Sequence, residues 1–208
     1  MSVSTPPDAP AIDRPPPAVP SDPIWRLSVA QYHDMIRAGI LTEDDPVELL
    51  DGWLVSKMTK NPPHRVATYL LRRALEEVIP QGWHVDSQGA ITLATSEPEP
   101  DAAVVRGEPR AYVDRHPGPK DVALVVEVAD ASLHRDRGFK RRLYARAAIP
   151  VYWIVNLVER VLEVYTDPTG QIDEPDYRQH RDYGPTEEVP LVVEGREVGQ
   201  IAVSAVLP

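Results

Sequence analysis

The densest apolar run in the chain, "DVALVVEVA" (121–129), places Val122, Val125, Val126 and Val128 on both alternating faces. That pattern predicts a strand covered on both sides rather than one with a wet face. Around it the periodicity changes repeatedly. "LSVAQYHDMIRAGIL" (27–41) has helical spacing behind a Ser28 cap, and "VELLDGWLVSKM" (47–58) reads as two strands joined by an Asp51-Gly52 turn. Over 63–79 one helical stripe carries Val66, Leu70, Leu71, Ala74, Leu75 and Val78. Strands are predicted at 84–94, 101–106 and 121–129, a helix at 134–148, and a strand pair at 151–156 and 160–166. Beyond Thr166 the chain reads as acidic loop with short strands at 189–194 and 198–203. There is no internal repeat. The order αββαβββαββ predicts an α/β fold, one mixed sheet flanked by helices.

Composition adds a boundary. Residues 1–23 hold eight prolines and few large apolar side chains, which predicts a disordered tail ahead of one domain over 24–208. No segment approaches 18 consecutive apolar residues and no signal-peptide pattern opens the chain, so no membrane association is expected. The absence of cysteine excludes disulfides, thiolate catalysis and Cys-ligated metal, and fits a cytoplasmic protein. The formal charge of -10 argues at first sight against a nucleic-acid partner. Its distribution alters that: 24–166 holds 20 acids against 18 bases, and "HRDRGFKRRLYAR" (134–146) holds six bases against one acid. This stretch is either a DNA-facing surface or a solvated helix face.

The candidate chemistry starts from Glu127, a carboxylate inside the valine strand. Buried and ionised without a partner it would cost several kcal/mol, so it must be paired, protonated or bound to a cation. Glu48 in "VELL" and Asp101 in "EPEPDAAVV" repeat the theme of an acid beside an apolar strand. Phosphate-binding glycine loops, HExxH and a serine nucleophile elbow are all absent, and the six histidines do not cluster in ligand spacing.

The succession "VELLDG", "NPPHR", "SEPEPDAAVV", "LVVEVADASLHRDRGFKRRLYARAAIPVYWIVN" and "RVLEVYTDP" resembles the Uma-type family of restriction endonucleases, a branch of the PD-(D/E)XK nuclease superfamily. The resemblance spans about 26–206. It implies a restriction-endonuclease-like fold and Mg²⁺-dependent hydrolysis of DNA, with Mn²⁺ as a substitute ion. Asp101 and Glu127 would be metal ligands and Glu48 a third, directly or through water. The superfamily motif carries its lysine two residues after the glutamate, where this chain has Ala129. The resemblance assigns that role to Lys140 instead, with Asp136 orienting it; the plainer alternative is an i, i+4 ion pair between those two. Gln88 is either a site-lining residue or a strand-end hydrogen bonder, and His64 either contacts metal or phosphate or caps its helix. Tyr144, Tyr152 and Trp153 read as packing, and Asn156 stands where the family more often has aspartate. Of Arg135, Arg137, Arg141 and Arg142, about two can face DNA at once, since successive helix residues lie about 100° apart. A homodimer is left open. Two rival readings stand beside the DNA endonuclease: a non-catalytic DNA- or protein-binding member of the fold, and a metal-dependent nuclease acting on RNA or another phosphodiester.

Overall fold

The structure, a computed structural model, describes residues 24–42 and 44–208. The tail expected over 1–23 lies outside the described residues. Helix α1 (Val29–Arg37) begins at the predicted cap: the Ser28 side chain accepts from the Gln31 backbone and the Gln31 side chain accepts from the Ser28 backbone. The hairpin β1 (Val47–Leu50) and β2 (Trp53–Ser56) turns at Asp51-Gly52, both with positive φ. Helix α2 (Pro62–Val78) is capped by Asn61 and starts on two prolines, which suit the first helical turn because it needs no N–H there.

The central sheet has six strands: β3 (Trp83–Asp86), β4 (Ala102–Arg106), β5 (Val122–Ala129), β6 (Val151–Asn156), β7 (Val161–Pro168) and β8 (Tyr177–Tyr183). They lie side by side in that order, all antiparallel except the β5–β6 pair. A parallel pair needs a crossover, and a helical segment supplies it: α3 (Leu133–Arg135), a π turn (Asp136–Lys140) and α4 (Arg141–Arg146). The helix predicted over 134–148 is therefore interrupted. At the interruption the Arg141 N–H reaches back five residues to the Asp136 carbonyl, which also accepts from the Tyr152 hydroxyl.

All eight residues of β5 are buried, because both faces of the sheet are covered. Leu124, Val126 and Val128 pack with α2 and the C-terminal hairpin β9 (Glu188–Val193) and β10 (Arg196–Ala202). Val125 and Ala129 face the opposite core, with Leu143, Tyr144 and Tyr152. Strand alternation puts Glu127 on that second face, beneath the crossover.

Two expectations need correction. The strand predicted over 84–94 ends at Asp86, since "SQG" (87–89) turns the chain with Gln88 at φ +62. The acidic stretch after Thr166 is not all loop: β7 runs to Pro168, and β8 follows as an edge strand whose five middle residues are exposed.

Candidate active site

Glu127 sits near the end of β5, and its Oε1 accepts from Lys140 Nζ and from the Tyr144 hydroxyl, each at 2.8 Å. Both donors come from the crossover, one turn apart, at the place where the π turn gives way to α4. Lys140 thus approaches from the crossover instead of from the position two residues after Glu127 on the same strand, where Ala129 stands. Its ammonium also lies 3.5 Å from Glu48 Oε2, and Glu48 is held by the Glu99 N–H at 3.2 Å. Asp101, just before β4, accepts the Val128 N–H at 2.9 Å, tying it to β5 one residue beyond Glu127.

Glu48, Asp101, Glu127 and Lys140 are all nearly inaccessible. They line one cavity of about 80 Å³, together with Asp136, His64, Lys60 and Arg135. Among the described residues, no arginine pairs with any of the three acids; their cationic partners are Lys140, Lys60 and His64. Burial pushes the Glu127 carboxyl up to about 8 even with Lys140 beside it, and Asp136, Asp101 and Glu48 push the same way. Burial opposes the charge of Lys140, yet Glu127, Glu48 and Asp136 outweigh it and hold the lysine above its ordinary value. For Asp101 burial again acts upward, but the His64 hydrogen bond and charge, and then Lys60, hold it below the usual carboxylate range. The cavity therefore contains one carboxyl driven by its partners toward the charged form and another driven by burial toward the neutral form.

Asp136 is buried in the π turn, and its Oδ1 has no hydrogen-bond partner. Burial raises this carboxyl, with Lys140 acting in the opposite direction. No direct Asp136–Lys140 ion pair forms; Lys140 spends its hydrogen bond on Glu127. The orphaned oxygen and a donor set made of hard carboxylates fit a small divalent cation of the Mg²⁺ or Mn²⁺ type.

His64 does not cap α2; Asn61 does, through a 3.0 Å bond from the His64 N–H. The His64 Nε2 lies 3.2 Å from Asp101 Oδ2. Gln88 is exposed, off any strand, and outside the cavity lining. The arginines divide: Arg135 lines the cavity, whereas Arg137 grips Glu159 and Glu163, and Arg141 pairs with Asp176. Arg142 is exposed. Tyr144 is more than packing, since its hydroxyl touches Glu127. Sequence reasoning missed Lys60, whose Nζ is 3.0 Å from Asp101 Oδ1; its position just before "NPPHR" was the available signal.

Elsewhere, donor atoms of Glu163, His180 and Asp182 lie within 4.8 Å of one another, and theirs is the one such convergence of three acid or histidine donors among the described residues. Glu163 is already supplied by Arg137, Asn156 and Tyr165, so its charge has partners without an ion. Among the described residues no helix is long and apolar enough to cross a membrane.

A solved structure of a "putative nuclease belonging to DUF820" from Anabaena variabilis aligns with a TM-score of 0.63 at 14% identity, over 86% of this chain and 97% of that one. It establishes a shared fold. No curated protein matches the chain. The model of the Uma2 family, described as "Putative restriction endonuclease", matches residues 29–203, and the chain belongs to that family.

Proposed function

We propose that this protein is a Mg²⁺-dependent DNA endonuclease whose site is the cavity between β1, β4, β5 and the crossover. The observation that carries the reading is the meeting of Glu48, Asp101, Glu127 and Lys140, drawn from four separate parts of the chain, around one small polar cavity. Acids buried this deeply are expensive to keep together without a function that uses them.

Asp101, Glu127 and Glu48 would hold the ion, which when bound supplies charge to the transferring phosphoryl group and acidifies a water. Val128 N–H and His64 fix the orientation of Asp101. Tyr144 and Lys140 fix one oxygen of Glu127 and leave the other free of hydrogen bonds from them. Lys140, anchored and charged, is placed to orient the attacking water and to stabilise negative charge as it develops. Arg135 at the cavity wall can take a neighbouring phosphate.

The test is incubation of the purified protein with supercoiled plasmid plus Mg²⁺ or Mn²⁺, beside Asp101→Ala. Nicking or linearisation by the wild type alone supports the reading. The net charge of -10, with Arg137 and Arg141 neutralised internally, favours a second reading as a non-catalytic binding member of the fold. Cation-independent DNA binding with no cleavage would select it. Cleavage of RNA but not of the plasmid would select an RNA substrate.

A further inference from the structure

Lys60 is the most exposed of the three cations paired with the acids of the site. Its Nζ lies 3.0 Å from Asp101 Oδ1, and its side chain remains about one-third exposed (37%) while that of Asp101 is 6% exposed. The flanking backbone is fixed. Lys57 N–H donates to the Pro46 carbonyl at 2.7 Å and Lys57 Nζ to Glu99 at 2.6 Å, while Asn61 caps α2 and bonds Asp130. A long flexible side chain on a pinned backbone can change partners without disturbing the fold. The acids of the site are not drawn together: the donor oxygens of Glu48, Asp101 and Glu127 do not converge within 4.8 Å, with Lys60 against Asp101 and Lys140 against the other two.

We infer that Lys60 is an exchangeable occupant of the cation position, sitting on Asp101 while the site is empty and moving to the substrate phosphate when a divalent cation takes that oxygen. The inference rests on the proposed nuclease reading and adds a coupling to it. An ammonium and a divalent ion cannot share Asp101 Oδ1 without strong repulsion, so cation binding must release Lys60. The released charge stays in the cavity lining that also holds Arg135 and His64, where a phosphate would be held. Phosphate binding, conversely, draws Lys60 off Asp101 and opens the cation position. By linkage, cation and DNA each strengthen the other's binding by the same factor. Lys140 has no such freedom, because it is buried and held by Glu127 and Glu48.

The experiment compares wild type, Lys60→Met and Lys57→Met. Lys57 is a fair control: it lines the same cavity and carries the same charge, but pairs with Glu99 instead of Asp101. Calorimetric titration with Mn²⁺ alone should show Lys60→Met binding roughly tenfold tighter than wild type, within the usual span of such couplings, and Lys57→Met changed by less than about twofold. Duplex binding by fluorescence anisotropy should then move the other way. Without a cation Lys60→Met should lose little, because in the wild type the phosphate must compete with Asp101 for the lysine, and in Ca²⁺ it should bind about fivefold more weakly. Equal Mn²⁺ affinity in wild type and Lys60→Met, or equal tightening in both variants, overturns the exchange while leaving the metal site intact. Loss of duplex binding to the same extent with and without Ca²⁺ overturns it too. If Mn²⁺ binds none of the three proteins, the metal-site reading falls and the exchange with it.

Discussion

Replacing Glu127 with glutamine gives the sharpest physical test of the site, because it removes the ionisation while nearly preserving shape. In the unfolded chain this carboxyl loses its proton near 4.5, whereas in the folded protein burial pushes it up to about 8. Between those values the folded state holds a proton that the unfolded state has released, so stability falls as pH rises through the window. Below 4.5 both states are protonated and above 8 both are ionised, so the loss levels off at either end. Each unit of separation corresponds to about 1.4 kcal/mol, so wild type should lose on the order of 3–4 kcal/mol between pH 5 and pH 8 from this group alone. Glu127→Gln has no such group and should lack that component. For a chain of this size, 3 kcal/mol corresponds to roughly 6–12 °C in Tm. The assay is thermal or denaturant unfolding of both proteins from pH 5 to pH 9 in chelator, read as the difference between the two curves. That difference should widen in favour of the variant and then flatten above pH 8. Saturating Mn²⁺ should narrow it, by stabilising only the protein that retains the ligand. Parallel curves in chelator would refute the argument, since they would mean that Glu127 ionises in the fold as readily as in water.

Further outcomes test neighbouring parts of the site. Tyr144→Phe removes one 2.8 Å bond to Glu127 and should destabilise by about 1.5–3 kcal/mol above pH 8, where the acceptor is charged, and by less at pH 6. Lys140→Met should abolish plasmid cleavage while leaving most duplex binding, and should move the pH midpoint of the Glu127 component upward, because the neighbouring positive charge is gone. Arg135→Ala should reduce the log–log salt slope of DNA binding by about one unit, whereas Arg137→Ala should leave the slope and instead lower stability, since it leaves buried Glu163 with the hydrogen bonds of Asn156 and Tyr165 but without its counter-charge.

What could be read from the sequence follows the strength of local signals. The valine run of β5, the Asp51-Gly52 turn and the Ser28 cap each concentrate their information in a few adjacent residues, and each appears where expected. Strand β8 is the counterexample. "RQHRD" offers no apolar alternation, because the strand lies at the sheet edge and is held by backbone pairing to β7, with only Tyr177 and Tyr183 buried at its ends. The break after Asp86 was signalled by Gly89, but the apolar residues beyond it looked like a continuing strand. Glu48, Asp101 and Glu127 could be nominated from sequence since acids beside apolar strands are conspicuous, whereas Lys140 was pointed to only by the family resemblance. The partners of the basic stretch could not: Arg137 finds Glu159 and Glu163, and Arg141 finds Asp176, only after the sheet has brought β7 and the approach to β8 alongside the crossover. Lys60 was hidden for the same reason, being an ordinary loop lysine until Asp101 lies opposite.

The π turn makes the crossover a counting device. Its surplus residue sets the phase of everything that follows, so the reach of Lys140 and Tyr144 to Glu127 depends on how many residues precede them as much as on what those residues are. Tightening this turn into regular α-helix without shortening the chain would carry both donors about 100° around the helix axis and away from Glu127. A one-residue change of length ahead of Lys140 that the turn does not absorb would silence the site while sparing every acid and the lysine itself, and comparisons between relatives that align identities without counting the turn would place the lysine on the wrong side of the helix.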